Sequence, residues 1–152
     1  MSQALHTLFE HAQRERDEGL AALQQAEQRA RDLQAQAEQL QQYHDEYDAR
    51  HPARGGRAAP IELLRCHLSF MQRLQQAQAQ QQAQLHSARQ RAAQHAKALV
   101  GLELRVASIR KLLDRREKEQ ATAAQRQEQR SNDEASQQRA WDRRREAPMA
   151  SS

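Results

Sequence analysis

The sequence predicts an all-α protein, two long helices forming an antiparallel coiled-coil hairpin, the second helix longer and ending in a polar overhang. Three observations predict it. Leu5, Ala12, Gly19, Ala26, Leu33, Leu40 and Tyr47 recur every seven residues, with Phe9, Arg16, Leu23, Ala30, Ala37 and His44 four residues behind the first six. Leu64, Met71, Gln78, Leu85, Ala92, Leu99, Val106 and Leu113 form a second series, with His67, Leu74, Gln81, Ala88, His95, Leu102, Ile109 and Arg116 three residues behind. Between the two lies HPARGGRAAP, residues 51–60, where most of the chain's glycine and proline is gathered.

The composition agrees. Aromatics make up 3% of the chain and the mean hydropathy is −1.11, too little apolar volume for an ordinary compact core. Ala, Gln, Glu, Arg and Leu dominate, and all favour helix, which argues against disorder for most of the length.

The first helix is placed at residues 3–50, with Ser2 available to cap it. At about 1.5 Å per residue this makes a helix of roughly 70 Å. The heptads run through Gly19, which therefore reads as a point of close approach rather than a break. The turn occupies residues 51–59. Pro52 disfavours helix at His51, Gly55 and Gly56 accept positive φ, and Pro60 suits the first turn of a new helix.

The second helix is placed at 60–145, so that residues 1–147 form one domain and 148–152 a disordered tail. Pairing Tyr47 with Leu64 sets Leu5 against Val106 and puts Tyr43 level with Phe70. The second helix then lacks an intrachain partner beyond about residue 113, where its large apolar series also stops. The overhang, 115–147, is polar all round. It is either an exposed helix held by charge pairs or a segment that orders on binding. Gln78 and Gln81 fall at seam positions, where polar residues lower stability and set register.

Charge is divided along the chain. The net formal charge is +4, with 7 Lys+Arg against 10 Asp+Glu in residues 1–58 and 17 against 10 in the remainder. This asymmetry suits antiparallel pairing, and the basic surplus suits nucleic acid, anionic lipid or an acidic protein surface. Cys66 is the single cysteine, so no intramolecular disulfide forms, in keeping with a reducing cytoplasm. No stretch has the roughly 20 apolar residues of a membrane span, and the N-terminus has no signal-peptide pattern. A soluble cytoplasmic protein without direct membrane insertion is expected.

Catalysis is not indicated. There is no glycine-rich phosphate loop, paired-cysteine motif or nucleophile elbow. The histidines lack helical metal-ligand spacing, and His67 and His95 fall on the seam as register-setting residues. No enzymatic activity, metal or cofactor is expected. Trp141 beside Arg143, Arg144 and Arg145 is the one cue for nucleic acid, but acidic residues are interspersed. The segment reads as a solvated helix, and no nucleic-acid partner is expected.

One constellation stands out beside the turn. Gln36, Leu40, Tyr43 and Tyr47 share one face of the first helix. Phe70, Leu74, Ala77 and Gln81 share one face of the second, at matching offsets. Three of the chain's five aromatics gather at this level. They are either a local core plug under the turn or a patch that docks a partner.

Together with the GG turn and the C-terminal RQEQRSNDEA segment, this pattern resembles the FliJ family of bacterial flagellar type III export. The start also fits, with Leu5, Leu8 and Ala12 followed by Arg16, Asp17, Glu18 and Gly19. The resemblance covers nearly the whole chain. Its weight rests on features outside the heptads: the paired tyrosines, the aromatic after the turn, and Glu128, Gln129, Arg130, Asp133 and Glu134.

The resemblance implies a non-enzymatic, stalk-like adaptor, monomeric and cytoplasmic, peripherally associated with the inner membrane at the flagellar base. It would link the hexameric export ATPase to the cytoplasmic domain of the membrane export gate, and would take export chaperones as further partners and hand them over for reuse. The stripe Gln36, Leu40, Tyr43, Tyr47, Phe70, Leu74, Ala77 and Gln81 maps onto the gate-contacting surface. At Gln81 some members carry a histidine. Glu128, Gln129, Arg130, Asp133 and Glu134 map to the ATPase side. A self-associating structural scaffold is the alternative.

Overall fold

A computed structural model describes residues 2–56 and 58–147. The side chain of Ser2, expected to cap the first helix, and the tail at 148–152 lie outside the described residues. The chain forms an all-α helical hairpin, with helices α1 (Ser2–Ala49) and α2 (Ile61–Glu146) packed against each other and no strand among the described residues. It divides into two compact units, one of His11–Arg105 and one of Met1–Glu10 with Val106–Ser152.

In the His11–Arg105 unit the two heptad series form the seam. Leu33, Ala37, Leu85 and Ala88 make a buried cluster, with Ala30 packed against it. Leu85, 2% exposed, is the largest side chain so fully enclosed. Burial of a leucine to this extent contributes about 1.5–3 kcal/mol, so the few large residues carry much of the adhesion of an otherwise alanine-rich seam. Gly19 is the close-approach point. A Cβ added there would stand 2.6 Å from Leu102 Cδ1 and 3.7 Å from Leu99 Cδ1. The missing side chain is what lets Leu102 lie against the α1 backbone.

The register differs from that expected. Tyr47 packs on Phe70 rather than beside Leu64, and Gly19 meets Leu99 and Leu102. This is a slip of about one heptad. A slip of seven residues returns every seam residue to the seam, so periodicity cannot exclude it. The bend decides it. His51 reaches His67, their rings edge to face at 4.8 Å, so the connection runs back along the first two turns of α2. Those turns project beyond the end of α1, and the whole pairing shifts accordingly.

The connection is locally bonded. The Arg50 and His51 amides donate to the Tyr47 and Asp48 carbonyls, and Arg54 N–H donates to His51 O. The imidazole Nδ1 of His51 accepts from Ala53 N–H at 3.1 Å. Gly55 and Gly56 take φ of 89° and 77°, which only glycine adopts without strain. Pro60 stands just before α2 rather than inside its first turn. Its carbonyl accepts from the amides of Leu63 and Leu64. Glu62 in the first turn and Arg143, Arg144 and Arg145 in the last complement the helix dipole.

In the other unit, Val106, Ile109 and Leu113 are buried, and the Arg110 guanidinium lies 5.5 Å from the Phe9 ring centroid. Beyond Leu113 every described residue is exposed except half-buried Ala135. This stretch is helical to Glu146, and Arg145 sits over the Trp141 ring at 5.7 Å.

Candidate functional site

The aromatic level next to the bend is built from the last three turns of α1 and the third and later turns of α2. Tyr47 and Phe70 form its centre, with ring centroids 4.4 Å apart and planes inclined at 42°. The Arg50 guanidinium, one turn beyond Tyr47, covers the same ring at 5.9 Å. Tyr43 stands one turn before Tyr47, and its hydroxyl accepts from Gln39 Nε2 at 3.1 Å. A two-helix seam cannot enclose rings of this size. Tyr43 remains 43%, Tyr47 37% and Phe70 40% exposed.

The other residues of the stripe are distributed by depth. Leu74 is buried and belongs to the seam, where it fixes the turn that carries Phe70. Leu40 and Ala77 are half-buried. Gln81 is half-buried and donates across the hairpin to Gln36 Oε1 at 2.9 Å and to Leu33 O at 3.4 Å. Gln78 donates to Gln41 Oε1 at 3.1 Å. The glutamines of the seam thus form a polar cross-helix layer beneath the aromatic level, and their amides have partners where an apolar seam would leave them none.

Two residues of this surface escaped sequence reasoning. Leu63 is half-exposed and seven residues before Phe70, so it continues the same face toward the bend. Arg50 lies three residues after Tyr47, a helical-neighbour spacing that would have revealed it. His95 also departs from its expected place on the seam. It is exposed and turns into a groove beside Ala22 and Ala26, because an imidazole gains nothing from burial without a hydrogen-bond partner.

The second set of candidate residues, Glu128, Gln129, Arg130, Asp133 and Glu134, lies on α2 in the unit containing Val106–Ser152, and all five are exposed. The two sets lie in different units. Among the described residues no group of three or more His, Cys, Asp or Glu side chains could hold a metal ion, and no helix is long and apolar enough to cross a membrane.

These features define a helical-hairpin protein whose accessible chemistry is that of contact surfaces: exposed rings near the bend and a long charged helix. Residues 1–145 match the family model described as the flagellar FliJ protein, and the chain belongs to the FliJ family. It is accordingly a flagellar export-related protein, of a family of structural components rather than a known enzyme family. No curated protein and no solved structure matches the chain.

Proposed function

We propose that this protein is a non-enzymatic adaptor of flagellar export that links the hexameric export ATPase to the cytoplasmic domain of the membrane export gate. The observation that carries the reading is the half-exposed Tyr47–Phe70 pair with Tyr43 beside it. Rings held rigid by a helical seam and by each other present large apolar area at little entropic cost, the property of interface anchors. Leu40, Ala77, Gln36 and Gln81 surround them, and Leu74 supports them from below.

The ATPase contact is assigned to Glu128, Gln129, Arg130, Asp133 and Glu134. Their support is exposure on the stretch of α2 beyond Leu113, which has no buried apolar face and whose charges remain available to a partner. The protein acts as a monomer, peripherally at the inner membrane, and hands over export chaperones at the gate. No reaction step is assigned to it.

The reading is tested by replacing Tyr43 and Phe70 together with alanine. The variant retains helicity by circular dichroism, loses capture by the gate domain and abolishes swimming. A well-expressed double variant that swims normally defeats the proposal. A wild-type chain that sediments as a dimer, with the same substitutions making it monomeric, favours the self-associating scaffold instead.

A further inference from the structure

A groove of about 740 Å³ runs along one flank of the hairpin within the His11–Arg105 unit. Its floor is small and apolar, formed by Ala22, Ala26, Leu33 and Ala88. Its charged rim is Arg29, Arg91 and Asp32, with His95 beside them. The lining extends over about three helical turns of each helix, from 22 to 33 on α1 and from 84 to 95 on α2.

The charges on this flank are mismatched. Arg105 Nη1 and Glu15 Oε2 pair across the hairpin at 3.1 Å, which identifies the positions that face each other there. Arg29 lies two heptads after Glu15 on α1, and Arg91 lies two heptads before Arg105 on α2. The same flanking relation that joins a carboxylate to a guanidinium at one level opposes two guanidiniums at the other. Among the described residues neither Arg29 nor Arg91 has an ion pair or a hydrogen bond. The groove's one carboxylate, Asp32, accepts from Gln28 Nε2 at 2.9 Å on its own helix. A hairpin adjusted for its own stability would carry an acid at one of the two arginine positions.

We infer that the groove receives an acidic amphipathic helix from a partner protein, whose carboxylates supply the counter-charge for Arg29 and Arg91. The alanine floor lets a third helix approach closely, as small residues do wherever helices pack near each other. The length of the groove suits several turns of helix rather than a small anion. Planar guanidiniums on both walls take carboxylates bidentately, which fixes the register of the incoming helix. This surface is separate from the aromatic level and uses none of its residues.

The probe is a synthetic helical peptide of about 20 residues with a Leu/Ala stripe flanked by Glu, long enough to hold helix once docked. A counterpart carries Lys in place of Glu. Binding of each to the full chain is read by fluorescence anisotropy. The Glu peptide binds the wild-type chain and the Lys peptide does not. Arg29→Glu with Arg91→Glu weakens the Glu peptide by at least about tenfold and admits the Lys peptide, as reversal of a charge pair requires. Tyr43→Ala with Phe70→Ala leaves Glu-peptide binding unchanged, which separates this surface from the proposed gate contact. Arg126→Glu with Arg130→Glu also leaves it unchanged. Arg29→Glu alone raises the melting temperature while weakening the peptide, since it relieves the like-charge opposition. Failure of the Glu peptide to bind the wild-type chain, or equal binding after the double reversal, overturns the inference. So does a wild-type dimer that the double reversal dissociates, for then the occupant is a second copy of the chain.

Discussion

The Tyr47 ring packs on the Phe70 ring at 4.4 Å, inclined at 42°, and so ties the last turn of α1 to α2 one heptad from the match that simple counting selects. The register follows from this contact and is open to direct test. In a Cys66→Ser background, Tyr47→Cys with Phe70→Cys joins through a short bis-thiol crosslinker. Tyr47→Cys with Leu64→Cys does not. Peptide mapping after proteolysis distinguishes the two pairings.

The same pair has a measurable coupling. Tyr47→Ala and Phe70→Ala each destabilise the hairpin by about 1 kcal/mol, since both rings are partly in water and only part of their area is at stake. A double-mutant cycle gives an interaction of about 0.5–1.5 kcal/mol for the ring contact itself. Urea titrations followed by circular dichroism supply all four values.

Gly19 gives a graded series. Gly19→Ala gains about 1 kcal/mol of helix propensity but forces Leu102 Cδ1 aside from a separation of 2.6 Å. The obstructing atom is the end of a flexible side chain, so the change is close to neutral in thermal melts. Gly19→Leu cannot be accommodated by a rotamer change and destabilises by about 1–3 kcal/mol.

Hydrogen exchange separates the parts of α2. Amides near Leu85 and Ala88 lie in the buried cluster and exchange slowly. Amides of residues 115–146 belong to the stretch of α2 with almost no buried side chain. Their protection is at least about tenfold lower, because opening there costs few contacts.

The architecture was legible because coiled-coil packing writes itself into the sequence at a fixed interval. All of the first seam series is buried or half-buried except Tyr47, and that exception is the docking candidate. Register was not legible, since seven-residue slips preserve the seam and only the path of the connection, seen in the His51–His67 contact, breaks the tie. The aromatic level was found from helical offsets and composition, but its depth was not. Leu74 and Phe70 lie one turn apart on one stripe, yet one is buried and the other 40% exposed. The basic groove escaped notice because it is formed by flanking positions. Which of those face each other depends on the register, so Arg29 could not be set against Arg91 until the pairing was known.

The adaptor function depends above all on the exposed rings being a docking surface rather than a plug for the seam. Tyr43→Ala tests this most directly, because Tyr43 has no part in the ring stack and its hydroxyl bonds only Gln39 on its own helix. The measurement is the affinity of the purified variant for the cytoplasmic domain of the export gate by calorimetry, with its thermal melt in parallel. An unchanged melting temperature with more than about tenfold weaker binding is the predicted result. A lowered melting temperature with undiminished affinity would contradict it.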